Sequence, residues 1–260
     1  MRIALRRTAL TIIENVAVGL IVGILVGLTG MGGALLMTPL LVLFFGFPPT
    51  MAIGTDLIYA AITKSAGAWQ HARQKTVNWE IVTRLIMGSL PGGILGVLMI
   101  PVLKNFLSFS VEELLGHLLG FVFIGMSLIM IIRFFVSQKK ESHPPLLRFP
   151  LPILGALGGF LVGLTSVGSG TLFMVFLLSS TALSARFLVG TDIVHAFFLT
   201  LAAGLIHASL GHVDWSFVSM LLLGSIPGIL IGGRLTLRIP ETALRMTIIC
   251  MLLLTGIKMV

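Results

Sequence analysis

Charge is what this chain has least of. Lys, Arg, Asp and Glu together supply 10% of its 260 residues, where a soluble domain carries roughly 25%, so there is too little polar surface to cover a water-soluble fold. Cysteine is nearly missing as well: Cys250 stands alone in an apolar run, which excludes a disulfide framework and a cysteine-based zinc site. No Walker loop, HExxH, CxxC or GxSxG pattern occurs, and with them go the commonest signatures of ATP hydrolysis, metalloprotease, redox and hydrolase chemistry. The chain reads as a non-enzyme with no cofactor. Acidic residues number 9 against 17 basic ones. In a soluble protein that excess would suggest nucleic acid, but here the basic residues gather in loops, as they do on the cytoplasmic side of membrane proteins, and no nucleic-acid partner is expected.

What is present in abundance is hydrocarbon. Hydrophobic residues make up 57% of the chain, in continuous runs without the period-two alternation of a membrane barrel. A helix needs roughly 20 apolar residues to cross a core of about 30 Å. Apolar runs fall near 9–28, 34–47, 51–70, 79–101 and 113–135, and again near 151–165, 170–183, 187–206, 215–234 and 241–259. The expected fold is an all-α polytopic membrane protein with ten helical segments. The basic start at 1–7 has no small-residue cleavage site after it, so the first run is read as a retained span. One polar stretch, 137–149, holding Lys139, Lys140 and Arg148, is long enough to be a linker between a first unit, 1–136, and a second, 150–260.

Those two units repeat each other at a constant offset of 136 residues. Gly54-Thr55-Asp56 returns as Gly190-Thr191-Asp192, His71-Ala72 as His207-Ala208, and Val77-x-Trp79 as Val213-x-Trp215. Gly88-Ser89-x-Pro91-Gly92 returns as Gly224-Ser225-x-Pro227-Gly228; 22 of the 70 positions in 27–96 match those in 163–232, without a gap. Equivalent loops carry opposite charge bias: Arg73, Lys75 and Arg84 have no basic counterpart in 207–220, whereas Arg186 and the group Arg234, Arg238 and Arg245 stand opposite loops poor in positive charge. That pattern is expected of inverted repeats. Arg2, Arg6 and Arg7 argue the other way, because the inverted scheme puts the N-terminus outside.

In each half the first two runs are short and divided by glycine, at Gly30-Met31-Gly32-Gly33 and at Gly168-Ser169-Gly170. Matching glycine-broken segments point to a transport site at the repeat interface, since irregular backbone at membrane depth survives only when buried in protein or lining a water-filled cavity. The exposed N–H groups of a helix starting after such a break form an anion site. Thr29, Gly30, Gly32 and Gly33, with Thr165, Ser166, Gly168 and Ser169, are therefore the substrate-binding candidates. Asp56 and Tyr59 share a helical face, as do Asp192 and His195. A carboxylate at helix centre costs roughly 2.5–3.5 kcal/mol on insertion scales. These carboxylates either couple protons or tether the broken backbone, with Tyr59 and His195 as their expected hydrogen-bond partners. Lys64 either snorkels to the basic loop or supplies a positive charge for an anion. His71 and His207 fit an interfacial belt with Trp79 and Trp215.

The ordered motifs, Gly27-Leu-Thr-Gly-Met-Gly-Gly33, Gly54-Thr-Asp-Leu57, His71-Ala-Arg-x-x-Thr-Val-Asn-Trp79 and their second copies, resemble the TauE/SafE family of membrane transporters across about residues 13–258. That resemblance implies a multi-pass transporter of the cytoplasmic membrane that moves small anions such as sulfite, organosulfonates or related organic acids. The expectation is an exporter, proton-coupled through Asp56 and Asp192, with the lipid bilayer and a small anion as partners and a homodimer left open. The rival reading is a non-transporting membrane scaffold or maturation factor for a partner complex.

Overall fold

A computed structural model describes residues 16–24, 37–106, 110–136, 150–181, 183–235 and 241–260. The first glycine break, with Thr29, Gly30, Gly32 and Gly33, and the basic linker lie outside the described residues. Ten helices run through the described residues: α1 (16–24), α2 (Met37–Phe45), α3 (Pro49–Arg73), α4 (Trp79–Phe106), α5 (Val111–Val136), α6 (Leu151–Thr165), α7 (Thr171–Ser180), α8 (Ala185–Ser209), α9 (Trp215–Leu235) and α10 (Glu241–Met259). The apolar runs read from the sequence coincide with these helices. Four of them, over Trp79–Phe106, Val111–Ile132, Arg186–Ser209 and Trp215–Gly232, are long and apolar enough to span a bilayer. The protein is an all-α polytopic membrane protein.

Polarity is arranged inside out. Phe106, Met87, Leu223 and Leu254 are exposed, each by more than two thirds of its surface, while Asp56, Ser166, Ser169, Thr191 and His195 are fully buried. A lipid-facing surface gains nothing from being polar, whereas buried polar groups need partners, so in membranes the hydrogen-bonding side chains collect between helices. Trp79 and Trp215 begin α4 and α9 about half exposed, as expected of an aromatic belt.

The closest packing joins the two halves of the chain. Against α6, α4 carries Gly88, Gly92 and Gly96, four residues apart, and a Cβ on any of them would overlap the carbonyl of Pro152, Ala156 or Phe160. Gly224, Gly228 and Gly232 of α9 meet the carbonyls of Val16, Leu20 and Ile24 of α1 in the same way. Each contact in one set becomes the other on adding 136 to one partner and subtracting it from the other. A Cβ on Gly120 of α5 or on Gly256 of α10, themselves 136 apart, would lie 3.0 or 2.9 Å from the other's carbonyl oxygen. Such reciprocity is the signature of an isologous contact, in which a surface meets its own equivalent. The backbone turns agree: Lys75 and Gly211, again 136 apart, both close their loops at positive φ.

Candidate functional site

The Gly-Thr-Asp motif divides into scaffold and site. At Gly54 a side chain would collide with the His212 carbonyl, and at Gly190 with that of Thr76, so glycine lets the loop of the other half approach. Thr55 Oγ1 then accepts from the main-chain N–H of Asp214 at 3.2 Å, and Thr191 Oγ1 from that of Asn78 at 3.0 Å. Asp214 and Asn78 in turn cap their own helices, accepting from Phe217 N (2.9 Å) and Ile81 N (3.1 Å). With glycine and threonine fixing where α3 and α8 meet α9 and α4, the third residue is left buried inside, where Asp56 and Asp192 lie.

The second glycine break sits beside them. Leu151–Thr165 ends on Ser166, whose φ of 61° is left-handed, and Gly168 follows at 99°. The chain then restarts as α7 at Thr171 after Gly170. The turn is buried between helices, not on a surface. Its two sides face opposite charges. Asp56 Oδ2 accepts from Ser166 Oγ at 2.8 Å and from Thr38 Oγ1 at 2.6 Å. Lys64 Nζ donates to Ser169 O at 3.1 Å and Ser169 Oγ at 2.9 Å. Lys64 also lies within electrostatic reach of Asp192 and Asp56, yet among the described residues the one ion pair is the exposed Arg84–Glu80 contact. Of the two alternatives for Lys64, snorkelling does not occur: Ser169 offers a carbonyl that a continuous helix would engage, together with its hydroxyl, and the ammonium turns inward to them, only 7% exposed.

Tyr59 and His195 do not bond the carboxylates, contrary to expectation. Each lies one turn beyond its Asp and reaches across to the serine of a Gly-Ser-x-Pro-Gly motif instead. His195 Nε2 and Ser89 Oγ are 2.8 Å apart, while Tyr59, within reach of Asp56, has the Ser225 hydroxyl beside it without a hydrogen bond between them. Asp56 Oδ1, Tyr59 Oη, Ser225 Oγ, Asp192 Oδ1 and His195 Nδ1 are buried and make no hydrogen bond. The sequence marked the Gly-Ser-x-Pro-Gly segments as repeats but gave Ser89 and Ser225 no role; their recurrence at the 136 spacing was the available signal. Thr38 had no signal, its equivalent being Met174.

Other candidates fall outside this cluster. Thr165 Oγ1 donates to Leu161 O at 2.6 Å and accepts from Val167 N at 3.3 Å, so its hydroxyl serves the turn. His207 is corrected from an interfacial residue to a buried one: its Nε2–H donates to Gly163 O at 3.1 Å, which leaves Nδ1 to accept from His212 Nδ1 at 3.3 Å. Burial holds the His212 imidazole below its ordinary range, consistent with a neutral pair. His71 stays at the rim, with Nδ1 2.8 Å from Thr76 Oγ1.

Comparison with known proteins agrees with this inside-out architecture. A family model described as sulfite exporter TauE/SafE matches residues 15–259. The chain is 41% identical over 254 residues to a probable membrane transporter protein, YjnA, of Bacillus subtilis, covering 95% of this chain and 99% of that one. It is 30% identical over 233 residues to another from the same organism, YdhB, covering 88% and 91%. A probable membrane transporter protein of Methanocaldococcus jannaschii, MJ0441, is 30% identical over 169 residues, covering 62% and 60%. No solved structure matches significantly. Matched over nearly its whole length, this chain belongs to the sulfite exporter TauE/SafE family and is a multi-pass membrane transporter, not an enzyme.

Proposed function

We infer that this protein is a secondary transporter of the cytoplasmic membrane that exports small anions, sulfite, organosulfonates or related organic acids, by alternating access between two inverted halves. The observation that carries this reading is Lys64, an ammonium buried at the start of the α7 segment and held by Ser169. A helix N-terminus presents N–H donors and the positive end of a dipole. Adding a fixed cation there makes one pole of the break attractive to an anion and to little else. The first break, Thr29 to Gly33, is the counterpart of this one in sequence.

Asp192 is the proton-carrying group in this reading. From α8 it lies within electrostatic reach of Lys64 of α3 and has His195 one turn further along; Ser89 of α4 fixes the imidazole by its Nε2. Protonating Asp192 removes the carboxylate that competes with the substrate for Lys64, so proton uptake and anion binding favour each other. The inverted relation is supported by the reciprocal glycine contacts and the opposite charge bias of equivalent loops. The two units at 1–136 and 150–260, joined by the basic linker 137–149, are then the moving parts.

The test is a thermal-shift screen of purified protein against sulfite, sulfonates and small carboxylates, followed by flux of the best binder into proteoliposomes under an imposed pH gradient. Saturable stabilisation by at least one anion, with flux that follows the gradient in wild type and loses that dependence in Asp192→Asn, is the expected result. Stabilisation by none, or a pH dependence unchanged in Asp192→Asn, contradicts the reading.

A further inference from the structure

The two ends of the α6–α7 break have opposite polarity, and only one end is accounted for by an anion. Lys64 stands at the α7 end. Asp56 stands at the α6 end, bonded to Ser166, the residue that closes α6. A helix C-terminus carries the negative end of the dipole and favours a cation, so a carboxylate placed there adds negative charge to negative charge. The sum of side-chain charges says the same. Two buried carboxylates, Asp56 and Asp192, face one buried ammonium, Lys64, and a buried charge is kept only when paired.

Asp56 Oδ1, on the carboxylate that Ser166 holds, is buried and unsatisfied, as are Tyr59 Oη and Ser225 Oγ. Both hydroxyl donors to Asp56 go to its other oxygen, Oδ2, so Oδ1 is left without one; Tyr59 lies within electrostatic reach of Asp56 and beside Ser225. The equivalent trio in the other half is Asp192, His195 and Ser89, and there the ring nitrogen and the serine close on each other at 2.8 Å. At the equivalent place Tyr59 and Ser225 are neighbours, but neither oxygen completes a hydrogen bond. A proton on Asp56 would be satisfied by one acceptor and would leave the other two free to pair. One carboxylate and two hydroxyl oxygens, with no nitrogen among them, are instead the ligand chemistry of a hard cation. With a single carboxylate in the set, the charge that fits is one. Broken helix ends that coordinate such ions beside an oppositely charged substrate are a recurring transporter arrangement.

We propose that Asp56 Oδ1, Tyr59 Oη and Ser225 Oγ, at the C-terminal end of α6, form a binding site for a monovalent metal cation of the size of Na+. The site rests on the transport reading and assigns a metal ion, in place of a proton, to one of its two carboxylates. Asp192, whose neighbour is an imidazole, keeps the proton. Tyr59 in one half and His195 in the other thus give the equivalent positions different ions to carry.

The experiment measures Na+ binding to purified full-length protein in nanodiscs, by radiolabelled sodium and by thermal shift, at fixed pH and with choline chloride holding ionic strength constant. The expected result is saturable binding of one Na+ per chain. Tyr59→Phe and Ser225→Ala, which retain the shape of the packing, each weaken it about tenfold, and Asp56→Asn removes it. Absence of saturable Na+ binding overturns the proposal, as does binding that Tyr59→Phe and Ser225→Ala leave unchanged. Proton uptake lost in Asp56→Asn but indifferent to Na+ overturns it too, and returns Asp56 to the proton. The same preparation is titrated with sulfite in choline chloride alone. Anion binding and flux that persist without Na+, in a protein that binds none, sink the cation site and leave the transporter reading standing. Sodium binding without any anion response sinks the transporter reading instead.

Discussion

Thr55 and Thr191 show how one buried hydroxyl can hold two helices in register. Each accepts from the N–H of the residue that caps a helix of the other half, Asp214 or Asn78, in a part-buried contact. Thr55→Val or Thr191→Val leaves that donor without its partner at nearly constant volume, which costs about 1 kcal/mol. Each variant is expected to lower the unfolding midpoint while anion affinity changes little, measured by thermal shift with and without substrate. Lys64→Gln should do the reverse. It keeps the length of the side chain and removes the charge, so the fold survives and anion affinity falls by at least about tenfold. At this scale the sequence was half legible. Asp56, Asp192 and Lys64 stood out because ionisable groups in apolar runs are costly and therefore conspicuous. Their partners did not: a serine in a helix gives no sign of which way it faces, and Lys64 could be placed at Ser169 only once α3 and the break were seen side by side.

Helices here are held by what they lack. The α4–α6 seam, built on Gly88, Gly92 and Gly96 against Gly155, Gly159 and Gly163, brings backbones into contact, which in a bilayer replaces the absent hydrophobic drive with van der Waals packing. Gly159→Leu would force its side chain into the Ser89 backbone and displace the serine that holds His195. The expected outcome is a fall of several kcal/mol in stability, beyond the 1–3 kcal/mol of ordinary overpacking because backbone is the obstacle. The equivalent change Gly23→Leu, against the Ser225 backbone, should cost a similar amount, and unfolding in mild detergent compares the two directly. The positions of the helices were legible because apolar runs and proline or polar boundaries mark them. Their partners were not, since a glycine stripe says that something approaches without saying which helix.

Across the whole molecule the account rests on two halves facing opposite ways. In a Cys250→Ser background, Gln74→Cys and Leu210→Cys place a thiol at equivalent exposed turns. A membrane-impermeant maleimide added to oriented vesicles is expected to label Gln74→Cys from the cytoplasmic side and Leu210→Cys from the opposite one. Labelling of both from one side would remove the inversion. The 136-residue offset made the repeat legible in sequence and the opposite loop charges suggested its inversion; the reciprocal contacts of Gly120 with Gly256 carry the same offset. Substrate is a different matter: the proposed small anion rests on a lysine at a broken helix, while a carbon or sulfur skeleton leaves no mark in the residues.

The most direct test of the central claim is sulfite flux into proteoliposomes holding equal amounts of folded wild type, Lys64→Arg and Lys64→Gln. A positive charge buried at the start of α7 predicts flux in wild type, partial flux with arginine and a loss of at least about tenfold with glutamine. Equal flux in all three, with each protein shown to be folded, would mean that the anion crosses without meeting Lys64.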